Sequence, residues 1–305
     1  MLFKRILFPT DFSVYANTVF ACLPELYGSG TREVVLVHVI RAADVPMPET
    51  LNQESMRYVR WKAEEQLNLA KMALEGRDFQ VTTRVEYGSP PQRIVEVAEE
   101  EKVHLIVIGA QGATLLEDLL LGSTTNEVIR RAKVPVLVEK CETVRDMGHI
   151  RCRLVCERLF RRVLHPTDFS AGADAAFQLV KRLRFAGAKE VIILHVQDER
   201  AMKHRPADQI AEFDRLDNER LEAMGEALGH FGMEARTLLR HGVPFDETLK
   251  VADEIEADLI VLGAVGRSVV RQLLLGSTLE GVVRLSRRPV LVVRAEANHR
   301  PGGSH

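Results

Sequence analysis

Residues 2–13 read LFKRILFPTDFS, and residues 159–170 repeat this segment as LFRRVLHPTDFS, with nine of twelve positions identical. A second pair, GAQGATLLEDLLLGST at 109–124 and GAVGRSVVRQLLLGST at 263–278, matches at nine of sixteen positions and keeps every glycine in register. The matched segments follow the same order in both halves. A spacing of about 155 residues is too long for a solenoid repeat, so each half is expected to be a complete domain with its own core.

Within each half, short runs rich in Val, Ile and Leu alternate with longer amphipathic stretches, which is typical of βαβ units around a parallel sheet. The runs are continuously apolar, as expected for strands covered by helices on both faces. The pattern predicts the α/β class, with two tandem doubly wound domains. The longest helix is predicted near 51–75. The predicted strands are 3–8, 33–39, 80–86, 104–109 and 135–139 in the first half, and 160–165, 190–196, 234–240, 258–263 and 289–294 in the second. The predicted boundaries are domain 1 at 1–140, a linker at 141–157, domain 2 at 158–296 and a flexible tail at 297–305.

The composition argues against several classes of protein. The formal charge of −2 over 305 residues provides no broad cationic field for a nucleic-acid backbone, so nucleic-acid binding is not expected. No apolar run approaches the roughly 18 residues that span a bilayer, so no membrane partner is expected. The first residues lack the long apolar stretch of a signal peptide, which favours the cytoplasm. Four cysteines do not describe a disulfide framework.

Polar motifs follow the first and fourth predicted strands of each half, where ligands bind in open parallel sheets. An aspartate after strand one suits an adenine amino group or a ribose hydroxyl. Glycines after strand four permit a tight turn, and the Gly-Ser-Thr segment that follows opens a helix whose N–H groups and hydroxyls suit an anion. The candidate residues are Asp11, Gly109, Gly112, Gly122, Ser123 and Thr124 in the first half, and Asp168, Gly263, Gly266, Gly276, Ser277 and Thr278 in the second.

The same residues have a purely structural interpretation. Glycines after a strand are often only turn residues, and Asp-Phe-Ser or Gly-Ser-Thr before a helix are ordinary N-caps. Helix capping, however, does not require the fixed nine-residue spacer that separates Gly112 from Gly122 and Gly266 from Gly276. The recurrence of both motifs in register therefore favours a binding site.

The motif G-x2-G-x9-G-[ST], together with Pro-Thr-Asp-Phe-Ser after strand one and His-Val at the end of strand two, resembles the nucleotide-binding branch of the universal stress protein family. The resemblance implies a Rossmann-like domain of the adenine nucleotide alpha hydrolase type, with a five-stranded parallel sheet in each half. It also implies stress-response regulation and binding of ATP, ADP or AMP in each half. The last strands, 135–139 and 289–294, would then meet as an intramolecular pseudo-dimer, and further pairing of two chains stays open.

The resemblance also implies a role for each matching position. In the first half, Asp11 and the backbone of Val39 would hold adenine, while Pro9 and Thr10 would line its pocket. Ribose and phosphates would contact the glycines, Ser123 and Thr124 named above. The equivalent positions of the second half are Pro166, Thr167, Asp168, Val196, Gly263, Gly266, Gly276, Ser277 and Thr278.

The two halves differ beside the predicted phosphate site. The family often has a basic residue after its second glycine, and Arg267 fits this pattern whereas the first half has Ala113. The first loop instead contains Glu117 and Asp118, which repel a polyphosphate unless a divalent cation such as Mg²⁺ lies between them. We therefore predict that the second site binds triphosphate more tightly. In the alternative interpretation, these loop side chains point to solvent.

No catalytic residue is identified in the sequence. Neither half contains the G-x4-G-K-[ST] phosphate loop or the G-x-S-x-G nucleophile elbow. The main hypothesis is a binding and regulatory module with slow ATP hydrolysis at most. The alternative is a slow ATPase or an ATP-splitting adenylating enzyme of a related α/β class.

The linker contains Cys141, His149, Cys152 and Cys156. These four residues are a candidate Cys3His zinc set, although their spacing does not match the common C-x2-4-C pattern. The favoured interpretation is unpaired thiols in or near a short linker helix. Elsewhere, His38 and His195 are expected to be packed or hydrogen-bonded rather than catalytic. His165, which matches Phe8, is expected to be a packing residue.

Overall fold

The computed structural model describes residues 1–42, 53–111, 121–146, 149–154, 159–203, 205–264 and 275–294, with only the backbone described at 53, 141–146 and 149–154. The strands are β1 (Arg5–Pro9), β2 (Glu33–Ile40), β3 (Gln80–Tyr87), β4 (Leu105–Gly109), β5 (Val136–Glu139), β6 (Cys141–Asp146), β7 (His149–Leu154), β8 (Arg162–Thr167), β9 (Glu190–Asp198), β10 (Glu234–Gly242), β11 (Leu259–Gly263) and β12 (Val290–Val293). The helices are α1 (Val14–Phe20), α2 (Gln53–Glu75), α3 (Pro90–Glu100), α4 (Ser123–Arg131), α5 (Ala171–Arg182), α6 (Glu199–Met202), α7 (Ala207–His230), α8 (Pro244–Glu254) and α9 (Ser277–Leu285), with 3₁₀ helices at Leu23–Ser29 and Leu183–Ala186.

Ten strands form one sheet in the order β10-β9-β8-β11-β12-β5-β4-β1-β2-β3. Within each half the five strands are parallel. This confirms the predicted fold class, and the predicted strand ends lie within two residues of the observed ones. The winding direction reverses between β1 and β4, and again between β8 and β11. These two switch points open the crevices in which ligands of this architecture bind.

The strands nearest the centre of the ten-stranded sheet are buried on both faces. Every residue of β5 and of β12 is buried, as are the first four residues of β4 and of β11. Helix α2, which was predicted near 51–75, packs Ala63, Leu67 and Leu74 against the sheet. Burial of each such leucine stabilises the fold by about 1.5–3 kcal/mol. None of the helices in the described ranges is long and apolar enough to cross a bilayer.

The two halves join through their last strands. Strand β5 pairs with β12 in the antiparallel direction. The Lys140 ammonium donates to the Val283 carbonyl in α9 (2.5 Å), and the Arg294 guanidinium donates to the carbonyls of Ile129 (3.3 Å) and Arg130 (2.6 Å) in α4. A cation that hydrogen-bonds the last carbonyls of a helix also stabilises its dipole. Each half therefore caps a helix of the other.

The prediction of a short linker helix is wrong. Strands β6 and β7 form an antiparallel hairpin in which Cys141 pairs with Leu154 and Asp146 with His149. Both strands contain β-branched residues, and the two positions between them, 147–148, equal the length of the tightest hairpin loop. The hairpin lies beside α1. The side chains of the candidate zinc set lie outside the described residues. The zinc site therefore stays a prediction.

Cys22 is buried and forms a disulfide. The other three cysteines of the chain are those of the linker. The side chains of the linker cysteines lie outside the described residues, so the expectation that these thiols are unpaired stays a prediction.

Candidate functional site

The turn after β1 is closed by its own side chains. The Thr10 hydroxyl accepts from the N–H of Phe12 (3.0 Å), and Asp11 Oδ1 accepts from the N–H of Ser13 (3.0 Å). Ser13 in turn caps α1 by accepting from the N–H of Ala16 (3.1 Å). Phe12 has a φ of 59°, in the left-handed region that bulky residues rarely occupy. These bonds stabilise the unfavourable backbone and fix the orientation of the Asp11 carboxylate.

The turn after β8 repeats this geometry. The N–H groups of Phe169 and Ser170 donate to Thr167 Oγ1 and Asp168 Oδ1, each at 3.0 Å. Ser170 accepts from the N–H of Ala173 (3.2 Å), and Phe169 has a φ of 57°. The capping interpretation is therefore correct for part of this motif. The motif also holds an aspartate at the same place on the carboxyl edge of the sheet in both halves.

Two histidines buttress these turns. His38 Nδ1 donates to the Thr10 carbonyl (2.8 Å), and its ring stacks on Phe12 with centroids 4.5 Å apart. His195 Nδ1 donates to the Thr167 carbonyl (2.7 Å), and its ring lies 4.6 Å from that of Phe169. The expectation that both histidines are hydrogen-bonded is confirmed. They connect β2 and β9 to the turns that carry the aspartates.

The glycines that end β4 and β11 are required for helix packing. A Cβ at Gly109 would lie 2.7 Å from Tyr15 Cε1, and a Cβ at Gly263 would lie 2.4 Å from the carbonyl carbon of Gly172. Contacts this short do not occur between a Cβ and another heavy atom. Helices α1 and α5 therefore approach the ends of β4 and β11 closely at these two glycines.

Glycine also occupies the N-cap of α4 and of α9. Gly122 and Gly276 have extended backbones (φ −60° and −65°), and among the described residues no side chain caps either helix start. The N–H of Gly122 donates to the Ala110 carbonyl (2.8 Å) and Thr125 Oγ1 donates to the Gly109 carbonyl (2.8 Å), which ties α4 to the end of β4. An uncapped helix start presents free N–H donors and a positive dipole end, which together favour an anion.

The sheet brings the predicted motifs together at each switch point, where the carboxyl ends of the strands meet. We call these two places the crest of the first half and the crest of the second half. Strand β1 pairs with β4 and with β2, so the Asp11 turn lies between the end of β4 and the end of β2, where Val39 lies. Strand β8 has the same neighbours, β11 and β9, in the second half. Pro9 ends β1, and Val196 lies near the end of β9. Three predicted site residues, Gly112, Gly266 and Arg267, lie outside the described residues.

A buried carboxyl group below the first crest was not identified from the sequence. Glu139 ends β5 and is 1% exposed, and within the described part of the chain its Oε2 has no hydrogen-bond partner. Burial raises the pKa of Glu139 to about 8, so the group is neutral at pH 7. Its main-chain carbonyl accepts from the N–H of Ala110 (3.0 Å) and from the Tyr15 hydroxyl (3.2 Å). The available signal was a charged residue at the end of an otherwise apolar strand.

A second polar group missed by the sequence analysis lies below the other crest. Asp217 of α7 accepts from Gln197 Nε2 (3.0 Å), and its Oδ2 lies 3.3 Å from His195 Nε2. The matching position in α2 is Ala63. The histidine beside the second turn therefore has a carboxylate neighbour at a position where the first half has an alanine.

Two surface depressions lie away from both crests, against the edge strands β3 and β10. Arginines and acidic residues dominate the lining of both depressions. Arg84 forms an ion pair with Glu86 in the depression at β3, and Arg240 forms one with Glu254 in the depression at β10. Because these charges are already neutralised, neither depression is a better ligand site than the crests.

Comparisons with known proteins agree with this architecture. The model of the universal stress protein family matches residues 2–140 and 159–294. Universal stress protein Rv2005c of Mycobacterium tuberculosis is 25% identical over 272 residues, covering 86% of this chain and 87% of the relative. Universal stress protein MJ0577 of Methanocaldococcus jannaschii is 32% identical over 155 residues, covering 45% of this chain and 96% of the relative. The crystal structure of a universal stress protein from Archaeoglobus fulgidus matches 97% of both chains with a TM-score of 0.72 and 28% identity.

Proposed function

The chain belongs to the universal stress protein family, and we propose that it is a stress-response regulatory module with an adenine-nucleotide site at the crest of each half. The observation that carries the proposal is the duplicated crest, where an oriented aspartate lies across the switch point from a helix start that no side chain of the described residues caps. A carboxylate suits an adenine amino group, and a helix N-terminus suits a phosphate. The two features together match the two ends of an adenine nucleotide.

Adenine would lie between the turn after the first strand and the end of the second strand. Asp11 would accept from the adenine amino group, with the Val39 backbone supplying a further hydrogen bond and Pro9 and Thr10 lining the pocket. In the second half the equivalent residues are Asp168, Val196, Pro166 and Thr167. The turn bonds at Asp11 and Asp168 support this assignment, because they fix each carboxylate before a ligand arrives.

The phosphates would bind at the starts of α4 and α9. The first-turn N–H groups and the hydroxyls of Ser123 and Thr124 would contact them in the first half, with Ser277 and Thr278 in the second. Gly109, Gly112 and Gly122 would border the ribose and phosphates, as would Gly263, Gly266 and Gly276. Arg267 would add direct attraction in the second half. Mg²⁺ would be needed in the first, where the loop contains Glu117 and Asp118.

The proposed module is regulatory, and no catalytic residue is assigned. Nucleotide occupancy would change its surface or its partners, and slow ATP hydrolysis is the most that is expected. A cytoplasmic location stays a prediction. Incubation with ATP and Mg²⁺ distinguishes the functions, because a binding module returns ATP intact over hours whereas an adenylating enzyme consumes it when its acceptor is supplied.

The first test is to purify the protein without added nucleotide, denature it, and identify and count the released nucleotides by chromatography. Two adenine nucleotides per chain would support both sites, and one would support a division of roles between the halves. If none is released and added ATP fails to bind by calorimetry, the proposal is wrong.

Isosteric variants then assign each site. Asp11→Asn and Asp168→Asn keep the oxygen that closes the turn, but replace the other carboxylate oxygen with a donor that opposes the adenine amino group. Each variant is expected to lose one nucleotide per chain, and the double variant to lose both. Each single variant is the control for the other. Unchanged stoichiometry in the double variant, with a native circular dichroism spectrum, would contradict the assignment of adenine to these aspartates.

A further inference from the structure

Helix α2 carries a second apolar stripe that faces solvent. Tyr58, Trp61, Leu69 and Met72 are 61%, 53%, 69% and 69% exposed, and the rings of Tyr58 and Trp61 lie 6.0 Å apart. At 3.6 residues per turn, the four side chains fall within an arc of about 80°. The buried residues of the same helix lie on the opposite side. We call these four residues the α2 stripe.

The fold does not require the α2 stripe. Helix α7 is the equivalent helix of the second half, since its buried Leu221 and Leu228 match Leu67 and Leu74. The positions of α7 that match the stripe are Glu212, Arg215, Ala223 and Glu226. Arg215 pairs there with Glu212 (2.7 Å) and Glu219 (2.5 Å). The same helix on the same fold thus has an ordinary charged face in one half and an apolar one in the other.

Four large exposed apolar side chains along one helix face, with Glu65 at the centre of that face, indicate an interaction site. Large aromatic side chains bury about 150–250 Å² each, so four large side chains that are more than half exposed offer roughly 500 Å². Scattered single apolar residues need no explanation, but a stripe along nearly four turns of one helix does. The α2 stripe therefore points to a partner.

The spacing of the stripe makes it complementary to itself. Tyr58 and Met72 each lie seven residues from Glu65, and Trp61 and Leu69 each lie four residues from it. In an antiparallel pair of α2 helices centred on Glu65, Tyr58 would lie opposite Met72 of the partner subunit and Trp61 opposite Leu69 of the partner subunit. Each aromatic ring would then contact a thioether or an aliphatic side chain, both of which pack well against aromatic rings.

We propose that the α2 stripe is a self-association surface, on which α2 of one chain packs antiparallel against α2 of a second copy. Two copies would bury roughly 1,000 Å², which is within the range of weak, transient complexes. The interface is isologous, so the assembly closes at two chains. The charged face of α7 offers no equivalent surface, and the first half alone makes the contact.

Glu65 gives this pairing a specific signature. Its side chain is exposed at the centre of the stripe, so the two Glu65 carboxylates would face each other across the two-fold axis. Like charges at this distance weaken association. Glu65→Gln is therefore expected to strengthen the dimer by about threefold to tenfold. The effect tests the two-fold geometry, because only a symmetric pair of chains places the two Glu65 side chains opposite each other.

Trp61 is the single tryptophan of the chain, so its fluorescence reports directly on the interface. The experiment measures tryptophan emission and sedimentation velocity of the full chain from about 1 μM to about 500 μM, a range that covers weak complexes. The expected result is a shift of emission to shorter wavelength together with a doubling of mass. Leu69→Glu is expected to stay monomeric, with unshifted emission over the whole range. Ala223→Glu, at the matching position of α7, is the control and is expected to associate like the wild type.

Three outcomes would overturn the proposal. A wild-type chain that stays monomeric with exposed Trp61 over the whole range shows that the α2 stripe does not pair with itself. Association that survives Leu69→Glu and the second stripe variant Met72→Lys shows that the dimer forms elsewhere. Association that Glu65→Gln leaves unchanged or weakens shows that the helices do not pair antiparallel about Glu65. Leu69 and Met72 are largely exposed, so native circular dichroism spectra are expected for these variants.

Discussion

Position 15 of the first half is a tyrosine, and the matching position 172 of the second half is a glycine. The Tyr15 ring fills the space beside Gly109, whereas the backbone of α5 at Gly172 lies directly against Gly263. Both solutions leave room for glycine alone at the end of the fourth strand. The same motif thus survives in two copies through different packing, a side chain in one half and a helix backbone in the other.

The halves also differ in their buried titratable groups. The first half buries Glu139 where the second has Val293, and the second buries His165 where the first has Phe8. His165 Nδ1 donates to the Val261 carbonyl (3.0 Å) and its ring stacks on Phe177, while its Nε2 has no partner among the described residues. Burial lowers the pKa of His165 to about 4. The expected packing role of His165 is confirmed, and the two halves should respond to pH in opposite directions.

Glu139→Val, which copies the second half, is expected to have the largest effect. The pKa of Glu139 is about 8 in the folded chain and 4.5 without burial, so the folded state binds the extra proton between these values. The wild type should therefore lose stability as pH rises from about 4.5 through about 8, by at most about 5 kcal/mol. The stability of the variant relative to the wild type should therefore increase as pH rises over that range. Urea unfolding at pH 5, 7 and 9 measures the difference, and Glu139→Gln is the control for shape. A difference that does not change with pH would contradict the raised pKa.

Gly263→Ala and Gly109→Ala compare the two packing solutions directly. The new methyl group meets backbone atoms in the second half, which cannot move without displacing α5, but a side-chain ring in the first. We expect Gly263→Ala to lower the free energy of unfolding by about 3 kcal/mol or more, and Gly109→Ala by about 1–2 kcal/mol. Gly28→Ala is the control, because its methyl group would meet nothing within 4 Å, and it should change the free energy of unfolding by only a few tenths of a kcal/mol. Equal losses at Gly263 and Gly109 would show that α5 and Tyr15 yield equally.

His165→Phe, which copies Phe8, should make the second half less sensitive to acid. The folded-state pKa of about 4 lies below the unfolded value of about 6.5, so the unfolded chain binds the extra proton between them. Wild-type stability due to this group is complete above about pH 6.5 and is lost as pH falls through about 4, by at most about 3 kcal/mol. Thermal unfolding at pH 7.5 and pH 5 should show a benefit of the variant that grows toward acid. A benefit of equal size at both values would assign the effect to packing alone.

The smallest expected effect concerns the preference of the two proposed sites for triphosphate. Arg267→Ala should weaken ATP at the second site by about tenfold, since a hydrogen bond to a charged group contributes about 1.5 kcal/mol or more, and should leave AMP unchanged. Ala113→Arg in the first half should have the opposite effect. Calorimetry in an Asp11→Asn or Asp168→Asn background isolates each site. If Arg267→Ala weakens AMP as much as ATP, Arg267 does not contact the terminal phosphates.

The sequence was a good guide wherever the determining pattern is local. Continuous runs of Val, Ile and Leu placed ten strands within two residues, because strands covered on both faces exclude polar side chains. The Thr-Asp-Phe-Ser segment closes its own turn through neighbours two and three residues away. Where several structures satisfy a local pattern, prediction failed. The linker forms a hairpin, in which two short strands pair with each other. Neither strand has a strong apolar period that would have indicated this pairing.

By itself, the sequence determined that this protein is a duplicated α/β fold of one family, with an aspartate turn and a Gly-Ser-Thr helix start in each copy. Only the tertiary structure decided that Tyr15 packs on Gly109, that Glu139 is buried, that Lys140 and Arg294 cap helices of the opposite half, and that the α2 stripe is exposed. Contacts between residues more than ninety positions apart leave no periodic trace in the chain. They depend on which surfaces the finished sheet brings together.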